Sequence, residues 1–264
     1  MYELLKASLK KTAAADKLNG AREFLQLLIL KIIHDNGFFK SLAFVGGTAL
    51  RIIYETRRFS EDLDFAVINK EAYDFKKLVK ILKTNLTQYG FRGETTLHGQ
   101  TTVHKADIKF ADLLYPLGLS SLKRQKLLIK MEIDTNPPAG FHTELSAVNK
   151  MSLVFNITHF DLPSLYATKL CACFYRKYTK GRDIYDLVWY LGKKTIPNLT
   201  VLNNALRQAG EKSPSIDEKN FKEFLLKKLE DIDFKHAQKD AANFLIDKNE
   251  LRLLDLKTIK QIIK

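Results

Sequence analysis

Hydrophobic positions along this chain change period more than once, and the changes mark its elements. Near the N-terminus apolar residues recur about every 3.6 positions over 2–14 and 20–35, which predicts two helices, the second ending at the Asn36-Gly37 turn signal. The short apolar run "LAFVG" predicts a buried strand, "TALRIIYET" a helix and "DLDFAV" a second strand. Residues 70–89 return to helical spacing and close at Gly90. Strand character follows around 91–97 and 102–114, and "LLIKMEID" then alternates apolar with polar until Asn136-Pro137-Pro138 stops it. "SLVFNI" is the last predicted strand. Pro163 opens a helix that runs to Arg176, and nearly everything from 182 onward reads as helical and lysine-rich. The pattern predicts an α+β fold: a mixed domain over 1–160 and an all-helical domain over 161–264, with no flexible linker, internal repeat or low-complexity tract.

One stretch departs from ordinary folding material: "AFVGGTALRIIYETRRFSEDLDFAV", residues 43–67. Its strand ends in Gly46-Gly47-Thr48 and leads directly into a helix. Glycines let a ligand approach the backbone closely, and the free N–H groups of a helix start, with a threonine hydroxyl beside them, suit an anion such as phosphate. Asp62 and Asp64 follow, two apart in a strand and therefore on one face. Two adjacent carboxylates repel unless a cation lies between them, and hard divalent cations with phosphate substrates are held by one or two carboxylates. Each half by itself also reads as a tight turn or a solvated strand end. Together they place metal beside phosphate, as nucleotidyl transfer requires.

Gly46-Gly47-Thr48-Ala49-Leu50, followed by Arg58-Phe59-Ser60-Glu61-Asp62-Leu63-Asp64, resembles the signature of the AbiEii/AbiGii-type toxin family within the polymerase-β-like nucleotidyltransferase superfamily. Two further family motifs follow in order: Lys169 within "LPSLYATKLCACFYR", and Arg182-Asp183-Ile184-Tyr185-Asp186-Leu187. The four span residues 40 to 192. The resemblance implies a polymerase-β-like mixed sheet flanked by helices and followed by a helical C-terminal domain that contributes Lys169 and Asp183. It implies Mg²⁺ or Mn²⁺ held by Asp62, Asp64 and Glu132, and a nucleoside triphosphate held by Gly46, Gly47, Thr48, Arg58, Ser60 and Lys169. The implied acceptor is the 3′ end of a tRNA, with an antitoxin encoded nearby as partner; the alternatives are a nucleotidyltransferase acting on a small-molecule or protein hydroxyl and a non-catalytic nucleotide- or RNA-binding module.

The third carboxylate is open between Glu132 and Asp134, because both occupy one face of "KMEID" with Lys130; Glu132 fits the family position better, and Asp107 is an outside candidate. Lys169 lies on an apolar helical stripe and needs an anion there, either a phosphate or an internal partner in Asp183 or Asp186. Asp183 and Asp186, three apart, share one helix face.

Charge adds a partner class. Forty-three Lys and Arg against 30 Asp and Glu leave a net +13, a field that concentrates polyanions, and RNA fits both the charge and the resemblance. The loop from Arg176 to Arg182, including Lys177 and Lys180, and the helices after 195 are the expected RNA surfaces. Cys171 and Cys173, two apart on a helix, face different directions, so a reduced, cytoplasmic protein is expected. No apolar run is long enough to cross a membrane. The histidines lack metal-ligand spacing, no serine or cysteine has a recognisable base, and the Walker and dinucleotide glycine patterns are missing, which leaves hydrolase and dinucleotide-enzyme readings without support.

Overall fold

A computed structural model describes residues 1–100, 102–176 and 178–263. It divides into two units, the first comprising 1–53, 60–136 and 144–159, the second 54–59, 137–143 and 160–264. The principal boundary falls at 159/160, and two short segments from the front of the chain join the second unit.

In the first unit the alternation of "LLIKMEID" becomes strand β5 (Leu127–Asp134): Leu127, Ile129, Met131 and Ile133 are buried, while Leu128, Lys130, Glu132 and Asp134 point the other way. The other strands are β1 (Leu42–Val45), β2 (Leu63–Val67), β3 (Gly93–Gln100), β4 (Val103–Phe110), β6 (Thr143–Lys150) and β7 (Leu153–Phe160), in the order β3-β4-β5-β2-β1-β7-β6. β1 runs antiparallel to β2, β2 parallel to β5, and β5, β4 and β3 antiparallel in turn. The buried faces of β2 and β5 share a core with helices α2 (Lys17–Asp35) and α4 (Phe75–Gln88), through residues such as Phe24, Leu28, Leu78 and Leu82. Asp74 caps α4 by accepting the Lys77 N–H at 2.9 Å. Helix α1 (Tyr2–Lys10) is shorter than its pattern predicts, and α3 spans Gly46–Ile53. Strand β6 is not predicted from sequence. It is an edge strand in which Val148 alone is fully buried and Leu145 is 69% exposed, so "TELSAVNK" shows no two-residue apolar period.

The second unit is built from α5 (Leu162–Tyr175), α6 (Gly181–Gly192), α7 (Leu199–Gln208), α8 (Phe221–Glu230), α9 (Phe234–Ala241) and α10 (Leu256–Ile263). Asp161 caps α5, accepting the Ser164 N–H at 3.0 Å, with Pro163 in the first turn. α6 begins against α9 at Gly181, where a Cβ would lie 1.9 Å from the Ala237 carbonyl oxygen; only glycine permits that approach. Segment 54–59 is tied to this unit by backbone hydrogen bonds, Phe59 N–H to the Phe244 carbonyl at 2.8 Å and Ile246 N–H to the Arg57 carbonyl at 3.2 Å. No helix among the described residues is long and apolar enough to cross a membrane.

Candidate active site

In the first unit the chain passes from β1 into α3 at Gly46, whose φ of +77° is a conformation open mainly to glycine. A Cβ at this position would meet Asp64 Oδ2 at 2.3 Å. The backbone of the turn therefore touches the aspartate side chain, because the antiparallel β1/β2 register pairs Val45 with Asp64. Thr48 is fully buried; its hydroxyl lies 2.8 Å from Ser60 Oγ and donates to the Asp62 carbonyl. Gln26 of α2 donates to the Ser60 carbonyl at 3.2 Å. These bonds fix the approach to β2, so Thr48 and Ser60 hold the loop that carries Asp62. The first-turn N–H groups of α3 have no partner within their own helix, as at every helix start.

Asp62 lies just before β2 and Asp64 within it, both half-buried. Across the parallel β2/β5 pair, Asp64 stands opposite Glu132 and Ala66 opposite Asp134. Register separates what the sequence leaves open: Glu132 neighbours Asp64, and Asp134 is two positions further along. The Asp134 carboxyl is pushed above its ordinary range by burial and accepts the Asn136 N–H at 2.8 Å. Lys105 of β4 reaches Glu132 at 2.9 Å, a partner that no local sequence signal announces. Asp107 stands opposite Lys130 and pairs with His98 at 3.3 Å.

Among the described residues no three His, Cys, Asp or Glu side chains are arranged to hold a metal ion by themselves. The donor chemistry nevertheless fits a hard divalent cation, which keeps several waters and takes its remaining oxygens from one or two carboxylates and the substrate's phosphates. Asp62 and Asp64 supply that pair, and the absence of a side chain at Gly46 lets the turn backbone lie directly against the Asp64 carboxylate.

The second unit gathers a different set. Arg58, 2% exposed, forms a bidentate pair with Asp186, Nε to Oδ1 and Nη2 to Oδ2 both at 2.6 Å. Lys169 Nζ lies 2.7 Å from Asp183 Oδ1 and 2.9 Å from Asp186 Oδ2, and Arg176 Nη1 2.8 Å from Asp183 Oδ2. Three cations thus share two buried carboxylates. Burial favours a neutral Asp183, but Lys169 and Arg176 outweigh it and hold its carboxyl down at about 2. Burial also works against the Lys169 ammonium, which Asp183 and Asp186 keep charged with its pKa above the ordinary value. The Asp183 carbonyl accepts from buried Cys173 at 3.3 Å. Asp186 anchors both Arg58 and Lys169, a role its distance of 128 residues from Arg58 conceals in the sequence. Lys180 is exposed before α6, Arg182 stacks over Phe244 at 4.0 Å, and Lys177 lies outside the described residues.

Gly46→Ala tests the contact between turn and carboxylate. Its Cβ would displace Asp64 and strain a left-handed backbone, so transfer activity is expected to fall steeply, with a stability loss of about 1–3 kcal/mol. Activity and melting measured on one preparation check this; unchanged values for both mean the turn is not in contact with Asp64.

The sequence profile of the family described as "Nucleotidyl transferase AbiEii toxin, Type IV TA system" matches residues 28–258. The structure of JHP933 from Helicobacter pylori shares the fold, with a TM-score of 0.54 and 22% identity over 92% of this chain and 90% of that one. A second H. pylori structure, described as that of a candidate nucleotidyltransferase, gives 0.53 and 21% over 90% of this chain and 92% of its own. A comparison with curated protein sequences gives no match.

Proposed function

This chain belongs to the AbiEii family of nucleotidyltransferase toxins of type IV toxin–antitoxin systems, and from that premise we propose that it transfers a nucleotide from a nucleoside triphosphate to the 3′ end of a tRNA. The observation that carries the reading is Asp64, set against the Gly46 turn on one side and opposite Glu132 on the other. In the reaction the acceptor's 3′ oxygen bonds to the α-phosphorus while the bond to the leaving pyrophosphate breaks. The half-buried Gly46 and Gly47 at the start of α3 present the backbone that would meet the anionic phosphates, with the helix dipole favouring negative charge there. Thr48 and Ser60 support that turn through their mutual hydrogen bond rather than through an exposed hydroxyl. Asp62 and Asp64, with Glu132 once it is released from Lys105, are the residues that would hold Mg²⁺ or Mn²⁺. Such an ion, when bound, supplies the charge that polarises the phosphoryl group and makes the attacking hydroxyl more acidic.

The family resemblance adds Lys169 and Asp183 to the catalytic set, Lys169 as a cation for the triphosphate and Asp183 as the group that orients it. Arg58, buried on Asp186, supports the helices that carry both. The net charge of +13 favours a nucleic acid acceptor over a small molecule. An antitoxin encoded beside the gene completes the system.

Incubating the protein with each α-labelled nucleoside triphosphate, Mg²⁺ or Mn²⁺ and total RNA tests the reading. Label is expected at the 3′ end of RNA of tRNA size. Label on protein or on a small molecule, with none on RNA, replaces the acceptor; no transfer under any of these conditions removes the reading.

A further inference from the structure

Helix α4 carries Lys76, Lys77, Lys80 and Lys83 on its exposed side and no acidic residue along its length. Lys76, Lys80 and Lys83 follow i, i+4, i+7 spacing and form one stripe about 10 Å long. None of the four lysines takes part in an ion pair among the described residues. Four unneutralised cations on one short helix repel one another, which is unfavourable unless an anion is there to be met.

A pocket of about 700 Å³ lies at the N-terminal end of this stripe, lined by Tyr73, Phe75, Lys76, Leu97, His98 and His104. Its acidic lining residues are Glu71 and Asp74, and Asp74 is engaged in capping α4. The His104 ring stacks on Tyr73 at 5.6 Å and 22° and lies 5.0 Å from Phe75, with Nδ1 2.8 Å from the Tyr73 hydroxyl. The rings are thereby fixed in place before any ligand arrives. Leu97 remains 48% exposed beside them. On β4, His104 stands opposite Ile133 whereas Lys105 stands opposite Glu132, so His104 faces away from the sheet surface that bears Asp64 and Glu132.

A rigid aromatic pocket continuous with a row of free lysines is the composition of a site for single-stranded nucleic acid, where bases stack on rings and cations follow the backbone. The volume is that of a pocket able to take a nucleobase with its sugar. We propose that α4 and this pocket bind single-stranded RNA, one unpaired base entering the pocket against the Tyr73–His104–Phe75 cluster and Leu97 while successive phosphates lie along Lys76, Lys80 and Lys83. The proposal rests on the RNA-acceptor reading above and adds where that acceptor is gripped. A basic amphipathic helix can also lie on an anionic membrane, but that requires a free apolar face. The apolar face of α4, Leu78, Val79, Leu82 and Leu86, is buried in the core of its own unit.

Fluorescence anisotropy of a short unstructured RNA with the full-length protein, over a range of salt, tests the site. Charge reversal in K76E/K80E/K83E is expected to weaken binding by more than about tenfold and to reduce the slope of log affinity against log salt by about 2, roughly 0.7 for each phosphate no longer neutralised. Tyr73→Ala is expected to cost about fivefold or more without changing that slope, the effect of removing one stacked base. Leu97→Ala, at an exposed position beside the rings, provides the same charge-neutral readout should Tyr73→Ala melt early. Unchanged RNA affinity in the correctly folded lysine variant overturns this site and leaves the RNA-acceptor reading standing. Absence of RNA binding by the wild-type protein overturns both. Binding to phosphatidylserine vesicles that the lysine variant loses, with RNA binding retained, makes α4 a membrane contact and overturns the RNA site.

Discussion

Asp64→Asn is expected to reduce nucleotidyl transfer by at least about a hundredfold to a thousandfold, the loss seen when one electrostatic contact to the reacting charge is removed, with an unchanged melting temperature. The substitution preserves shape, replaces one acceptor oxygen by an NH2 donor and removes one negative charge. That charge stands opposite Glu132 in the β2/β5 register, and Glu132 is itself paired with Lys105. Divalent cation binding and transfer depend on that charge directly, whereas the side-chain shape that packs against the Gly46 turn is kept. Three readouts separate the cases: single-turnover transfer with labelled triphosphate, affinity for Mn²⁺ by calorimetry, and thermal melting. Wild-type transfer in a folded Asp64→Asn protein would eliminate the carboxylate pair as the chemical centre. Abolished transfer together with a lower melting temperature would instead make Asp64 a structural residue of the Gly46 turn.

The largest stability effect is expected at Asp186. Its side chain is fully buried and holds Arg58 through two hydrogen bonds and Lys169 through a third contact. Asp186→Ala leaves the Arg58 guanidinium buried without its carboxylate, and removing one partner of a buried pair costs about 3–5 kcal/mol. Lys169 suffers less because Asp183 remains 2.7 Å away. The loss should be visible in urea denaturation followed by circular dichroism. Replacing both members with apolar residues, as in R58M/D186L, should recover much of it, since a well-packed apolar pair often matches a buried ion pair. A melting curve for Asp186→Ala that overlays wild type would refute the account of Arg58 as a charge anchored by Asp186.

Much of the candidate chemistry was legible because it is local. A glycine pair at a strand-to-helix junction, two aspartates at strand spacing and a lysine on an apolar helical stripe each follow from periods of 2.0 and 3.6, which the backbone imposes wherever the element lies. The same local rules locate β1, β2 and β5 closely, and α4 except for its start, which is at Phe75 and not at 70. They fail at β6, whose edge position leaves most side chains in solvent and erases the apolar alternation. They also fail on how "ETRRFS" is used: Arg58 and Phe59 join the helical unit while Ser60 returns to the sheet unit, a division set by contacts with Phe244 and Asp186 far along the chain.

The sequence by itself determined which residue types were available: carboxylates on shared strand faces, a turn free of side chains before α3, and an excess of cations. Tertiary structure decided which of them meet. Strand register chose Glu132 over Asp134 as the neighbour of Asp64, because side chains two apart on one strand share a face and only pairing with β2 separates them. Long-range packing chose the partners of the buried charges, Asp186 for Arg58 and Asp183 for Lys169 and Arg176. A desolvated charge must find its counter-ion, yet nothing in the local pattern says where along the chain that counter-ion lies.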